Sequence, residues 1–437
     1  MGNKSEDLNK LEEKPVPRPE RSATKNKKNK LVFVINYLKD NYDFRFNLIT
    51  QKLDWKKRTE KEYKFFNERA FYNIMLDVQL NGFSVTEQEF KTIINSDMVS
   101  TNYSPFLDYI NGLAPWDGET DYIKQFTDQL VLEDDKMRFY VEGGFKKWMV
   151  ALVVGMIEDL PLKKYINQQC IVLVGAQGKF KSTFLASIVP EHLKMQYFYS
   201  GNFNVHSKDH EELLGTKMVI DLDEMATLNR SEIESIKSRL TQEQIVLRRA
   251  YGKAEIQLKR RASFCGSINR EEFLTDLTGT RRFLVYKIKD IKFNPDFNVD
   301  KMYAQAFALY ESGFEYWFDR LDISLIEEFN EPFKQKGMEE EFLTKYFYPP
   351  SEADIEAGSY EMLTASDISN YIADPTRVSK MNINNTVSKN IGIALKSLGF
   401  TQISKRMNGM PRKVWLVRKT DLYSQNVAQN SENEALI

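Results

Sequence analysis

Apolar and polar positions change rhythm several times along the chain. Residues 1–30 carry Pro, Lys, Glu and Asn with few apolar groups and end in KNKKNK, a composition too poor in buriable surface to fold alone, so the pattern predicts a disordered arm. From Leu31 the text turns aromatic and periodic: LVFVINYLKDNYDFRFNLITQKLDW mixes a short helix with alternating strands, and the helical ERAFYNIMLDVQLNGF comes next, predicting a small α/β domain over 31–102. Turn signals at Pro105, Pro115 and Asp117-Gly118 interrupt helical spacing, and the apolar run WMVALVVGMI reads as a buried helix, so 103–165 is a helical connector.

Residues 166–320 alternate strand-like runs (QCIVLVG, KMVIDLDE, ASFCGSI) with helical ones (STFLASIV, SEIESIKSRL, MYAQAFALYESGFEYWF). That alternation predicts an α/β core, a parallel sheet with flanking helices. A charged helical linker over 321–356 leads to 357–420, where helix, helix and a basic two-stranded hairpin come in the order of a winged helix. Residues 421–437 read as a disordered tail, and no internal repeat is visible.

Composition narrows the class. At 437 residues with 42% hydrophobic content the chain supports several buried cores, and 61 Lys and Arg against 62 Asp and Glu mean that any nucleic-acid contact rests on local basic patches. The two cysteines, Cys170 and Cys265, lie beside or inside strand-like runs, which argues against a zinc site or a disulfide framework. His206 and His210 stand four apart with no third ligand in view and read as surface or structural residues. The charged N-terminus lacks the apolar core of a signal peptide, and no apolar run approaches the roughly 20 residues of a membrane helix, so the expectation is a cytoplasmic protein with no membrane partner.

The stretch IVLVGAQGKFKSTFL carries the chemistry. A strand that ends in a tight Gly-containing turn and opens a helix converges N–H groups on phosphate oxygens, a Lys reaches the β/γ-phosphates, and a Ser or Thr holds Mg²⁺. Here the candidate nucleotide-binding residues are Gly175, Gly178, Lys179, Lys181, Ser182 and Thr183, with ATP and Mg²⁺ as the cofactors implied. Phe180 stands where such loops want a Gly; a Phe resists positive φ, so the expectation is negative φ there, with Gly178 supplying the flexibility. Downstream, MVIDLDE ends in carboxylates: Asp223 opposite Ser182 on the metal, Glu224 to orient and deprotonate water, and Asp221, on Asp223's face of the strand, as the alternative ligand. Asn269 ends a third strand where an amide can sense the γ-phosphate, and Arg281 or Arg282 is a candidate arginine finger.

Taken in order, GAQGKFKST, DLDEM, IKSRLT, RRAYG and SINREEFLTDLTGTRRF, with NYSPFLDYINGLAPWDG upstream, resemble superfamily 3 helicases and, more closely, the virulence-associated protein E family of phage and mobile-element proteins, over about 103–320. The resemblance implies a P-loop ATPase in a hexameric ring that loads on or unwinds DNA during replication of a mobile element. Within it Lys181 and Ser182 serve phosphate and Mg²⁺, Asp223 and Glu224 metal and water, Asn269 sensing, and Arg281 or Arg282 the neighbouring subunit's nucleotide. No primase carboxylate set is recognisable in the N-terminal region, so a primase would be a separate partner. The other reading is a DNA-binding initiator that uses ATP only as an assembly switch.

Two basic hairpins are the candidate DNA contacts. EQIVLRRAYGKAEIQLKRR gives a hairpin broken at Gly252-Lys253 with six basic residues and one acidic from Arg248 to Arg261; Arg248, Arg249 and Lys253 would meet phosphates of single-stranded DNA and Tyr251 a base. The C-terminal hairpin carries Lys405, Arg406, Arg412 and Lys413, for duplex DNA or a partner protein.

Overall fold

The computed structural model describes residues 21–157, 166–204, 207–222, 225, 230–248, 255–269, 273–274, 279–334, 338–373, 385–407 and 410–420. Helix α1 (Arg21–Asn41) begins inside the stretch expected to be a disordered arm, so that expectation does not hold for 21–30. Val34 and Leu38, one turn apart and fully buried, anchor it, and Lys30 pairs with Glu89 at 3.0 Å, so the polar first half propagates a helix nucleated by packing. It leads into β1 (Tyr42–Asn47), β2 (Lys52–Lys57) and β3 (Lys64–Phe65), then α2 (Glu68–Leu80), α3 (Glu87–Ile94) and β4 (Ser100–Tyr103). The four strands form one sheet in the order β3-β2-β1-β4, with β1 and β2 antiparallel and β4 parallel to β1. Asn47 ties this sheet to the central part of the chain: its amide donates to the Tyr197 hydroxyl at 3.0 Å, and its side-chain carbonyl accepts from the backbone of Ile49 and Thr50.

Helices α4 (Pro105–Gly112), α5 (Tyr122–Thr127) and α6 (Arg138–Met156) fill the expected connector, and a strand not foreseen there, β5 (Leu130–Leu132), lies between the last two. Three residues carry too little periodicity to announce a strand; β5 exists because it pairs antiparallel with the far end of another strand. Helix α6 is buried along most of its length, Trp148 completely. No helix among the described residues is long and apolar enough to cross a membrane.

The central sheet runs β6 (Cys170–Val174), β7 (Phe198–Gly201), β8 (Val219–Leu222), β11 (Ser263–Ile268) and β12 (Phe283–Ile291), interleaved with α7 (Lys181–Ala186), α8 (Glu191–Tyr197), α9 (Lys208–Thr216), α10 (Arg230–Thr241) and the hairpin of β9 (Gln244–Leu247) and β10 (Ile256–Lys259). Its spatial order is β5-β12-β6-β11-β8-β7, parallel throughout except for the edge strand β5. Every residue of β6 is buried, and alternation decides where each goes. Ile171 and Leu173 join α6, α7 and α11 (Val299–Glu311) on one face; Cys170, Val172 and Val174 join α10 and the β9–β10 hairpin on the other. The Cys170 and Cys265 thiols are both buried, and burial pushes both well above their ordinary range, as expected of packing residues.

Helix α12 (Arg320–Asn330) packs against the base of β12. Beyond it α13 (Met338–Tyr346), β13 (Phe347–Tyr348), α14 (Glu352–Glu356), β14 (Glu361–Leu363), α15 (Ala365–Ile372), α16 (Asn385–Ser397), β15 (Gln402–Met407) and β16 (Met410–Lys419) surround a separate core of Ile368, Ile372, Ile391, Leu395, Trp415 and Val417. In all, the chain is a mixed α/β protein built on several sheets.

Candidate functional site

The loop between β6 and α7 sits at the carboxyl edge of the central sheet, where open α/β sheets hold their ligands. Gly175 is required by close approach: a Cβ there would stand 2.7 Å from the carbonyl oxygen of Ile288. Its N–H donates to Ile268 at 3.1 Å, sewing the loop to the end of β11. Gly178 takes φ +79, and Phe180 comes next in the turn at φ +56, ψ +23. The expectation of negative φ at Phe180 is therefore corrected. The turn needs the left-handed region twice, and the phenyl is carried out into solvent, 61% exposed.

Lys181 adjoins it and is 6% exposed. Its ammonium donates to Gly175 O at 2.7 Å, Ala176 O at 2.8 Å and Asn269 Oδ1 at 2.8 Å, one acceptor for each of its protons. Desolvation pulls the ammonium below its ordinary pKa. Two residues distant in sequence, Lys181 and Asn269, thus meet at one point because β6 and β11 are parallel neighbours. Ser182 and Thr183 are exposed beside them. Lys179 turns the other way and pairs with Asp290 at 3.3 Å, tying the loop to the end of β12.

Asp221 lies deeper. It pairs in register with Ser200 on one side and Cys265 on the other, and Cys265 in turn stands level with Ile171, three residues short of the end of β6, about 10 Å below the rim. Its carboxylate accepts from Ser200 Oγ at 3.3 Å and lies 3.9 Å from Cys265 Sγ. Asp223 and Glu224 lie outside the described residues, as do Arg249, Tyr251, Lys253 and His206. His210 is structural: Nδ1 accepts from the Asn204 backbone at 2.7 Å and the ring stacks on Phe203. Among the described residues no three His, Cys, Asp or Glu side chains gather as a metal site.

Arg281 and Arg282 belong to a short helical turn that enters β12 at the opposite edge, where Phe283 pairs with Cys170, the first residue of β6. The length of β6, about 16 Å, separates them from the lysine loop. They line a cavity of about 260 Å³ with Asn167, Thr241 and Trp317.

The expected basic character of the first hairpin needs correcting. Of its six basic residues, Lys259 donates to Ile157 O at 3.1 Å, Arg261 reaches Gly155 O and Met156 O, and Arg260 is wholly buried. Lys259 and Arg261 satisfy the carbonyls left open at and just past the C-terminal end of α6, which explains their charge without nucleic acid. Nothing in one-dimensional spacing separates a buried arginine from an exposed one. Arg248 is exposed. On the C-terminal hairpin, Lys405, Arg406, Arg412 and Lys413 are all exposed, and Lys405 stands directly opposite Arg412, a like-charge pair that costs stability unless an anion lies across it.

What the fold and site define is an α/β protein with a lysine-bearing turn at the carboxyl edge of a parallel sheet and an asparagine from the adjacent strand bonded to that lysine. The chain belongs to the virulence-associated protein E-like family, whose domain model matches residues 110–335. It is also similar to the apo structure of the NrS-1 C-terminal region (305-718), with 15% identity over 90% of this chain and 100% of that one and a TM-score of 0.47. An A form of the same apo region gives 14% identity over 90% and 99% of the two chains and a TM-score of 0.45. No curated protein matches the chain.

Phe180→Gly removes the one left-handed side chain from the loop, worth about 1 kcal/mol of strain. If the loop serves nucleotide hydrolysis, as proposed below, turnover is expected to be preserved or raised, whereas Phe180→Val, β-branched at positive φ, should depress it; steady-state phosphate release reads both. A collapse in the Gly variant would show that the phenyl itself is needed.

Proposed function

We propose that the protein is a DNA-stimulated ATPase of the superfamily 3 helicase type, working as a homo-oligomeric ring in replication of a phage or other mobile element. The observation that carries this reading is the Lys181 ammonium held by Gly175 O, Ala176 O and Asn269 Oδ1 at the sheet's carboxyl edge. A nearly buried cation with three replaceable oxygen partners suits the β/γ-phosphate oxygens of ATP, and releasing Asn269 frees its amide to position the attacking water. Loop, lysine and the exposed Ser182 hydroxyl fit a nucleotide with Mg²⁺; the metal would neutralise charge on the phosphates, and Asp223 is the carboxylate assigned to it. Glu224 takes the proton of the water as the bond between the β–γ bridging oxygen and the γ-phosphorus breaks.

Placement of Arg281 and Arg282 at the far edge supports a site completed between chains, one contributing the lysine loop and the next an arginine. Together α15, α16 and the β15–β16 hairpin support a winged helix, with the Lys405–Arg412 pair as its phosphate contact on duplex DNA. On this reading the chain divides as the sequence suggests, into an N-terminal α/β domain, a connector, the ATPase core and the winged helix, and a primase acts as a separate partner.

Phosphate release with and without single-stranded DNA tests the proposal, together with a mixing experiment. Arg281→Ala and Lys181→Ala chains, each inactive alone, should recover partial activity when combined. Absence of ATP hydrolysis under all conditions would sink the reading, and nucleotide binding with ring formation but no strand separation would favour the initiator.

A further inference from the structure

Between the edge of the N-terminal sheet and the α8–α9 side of the core lies a cleft of about 1110 Å³ that the lysine loop does not use. Lys52 of β2, Lys208 and Lys217 at the two ends of α9, and Arg248 at the end of β9 line it, against the carboxylates of Asp209 and Glu212. Lys52 and Lys208 are exposed and form no ion pair among the described residues. Lys217 is half-buried, donates to Gln196 O at 2.7 Å, and is pulled below its ordinary pKa by burial and by the ammonium of Lys52. Two ammoniums facing one space repel, and an anion between them relieves both desolvation and repulsion. Phe65 lies in the same wall with 48% of its surface open.

We infer that this cleft is a seat for single-stranded nucleic acid, with Lys52, Lys208, Lys217 and Arg248 on the backbone phosphates and the Phe65 ring under a base. A cationic groove with an aromatic platform is what single-strand binders share, and at this volume the cleft exceeds most small-metabolite pockets. An acidic peptide would meet the same cations but leave Phe65 unused and face Asp209 and Glu212, whereas the edge of an unpaired base, thymine N3–H included, offers an N–H that donates to a carboxylate. Arg248 is among the candidate DNA contacts of the sequence, so the seat rests on the proposed function for its purpose. Its test does not depend on ATP.

Anisotropy of a labelled oligodeoxythymidylate, within the roughly 4 to 16 nucleotides of single-strand sites, is measured on the full chain without nucleotide. The Lys52→Glu/Lys208→Glu double variant, both positions exposed, should weaken binding at least tenfold and flatten the salt dependence by about 1.4 logarithmic units per unit log salt. Phe65→Ala should weaken it about fivefold or more, and 5-iododeoxyuridine in the oligonucleotide should cross-link to the peptide holding Phe65. Unchanged affinity and salt slope in folded variants, cross-links confined to other segments, or polyglutamate displacing the oligonucleotide at lower concentration would each overturn the assignment. A duplex bound equally well with the same variant dependence would overturn it too, since Phe65 cannot stack on a paired base.

Discussion

Lys181→Ala should lower ATP turnover by on the order of 100-fold or more, measured as phosphate release at saturating nucleotide. Lys181 is the only cation of the loop turned into the turn, since Lys179 is directed to Asp290. The side chain is already desolvated, so the field it exerts on a phosphate oxygen is little screened. Lys181→Arg should not rescue: a planar fork cannot replace three diverging donors to Gly175 O, Ala176 O and Asn269 Oδ1. Stability should change little by comparison, because Ala176 and Asn269 are exposed and water can take the place of the ammonium on their oxygens. A rate within threefold of the parent would exclude the loop as the nucleotide site.

Arg260→Ala should destabilise the core by about 3 to 5 kcal/mol, read as a shift in the denaturant midpoint of the intact chain. The guanidinium is wholly buried, and burial pulls it down to about 9, still charged at neutral pH. It donates to Gln242 O at 2.9 Å, Asn167 O at 2.7 Å and Ala262 O, joining the ends of α10, the approach to β6 and the approach to β11. Asn167 extends the join, donating to Trp148 O of α6 and Ser263 Oγ of β11. Without the arginine those buried carbonyls lose their donors and the site loses the volume of its side chain. Arg260→Met separates the two costs, keeping most of the stem volume while still abandoning the oxygens. Lys405→Ala, exposed and remote, should stay within about 0.5 kcal/mol. A loss below about 1 kcal/mol for Arg260→Ala would show that this join is dispensable.

The sheet was legible in the sequence wherever burial on both faces left an unbroken apolar run, as at β6 and β8. It was harder to see at β5 and β7, strands of three and four residues, the first of which pairs with a strand from far along the chain, and at β12, whose FLVYKIKDI follows directly on the arginine pair. The lysine loop was readable because glycine spacing and a flanking strand are local features. Its contact with Asn269 was not, since that depends on β11 lying beside β6 while the acidic strand β8 lies one place further out. Phe180 shows the limit of propensity: the turn imposes φ +56 on a residue that disfavours it, because Gly175 and Lys181 are fixed on either side. Arg260 shows the limit of charge counting, which treats a buried tie and a solvent-facing cation alike.

The lysine turn and the arginine turn stand at opposite ends of one strand, so in the proposed reading the molecule has a head and a tail. Polar contacts of that kind are heterologous: each chain offers a different surface to the neighbour before it and the neighbour after it, and the series either closes on itself or runs on without end. An isolated chain then carries two half-sites and no whole one. Dilution becomes an inhibitor that acts without touching any residue, and turnover per chain is a property of how many chains have met.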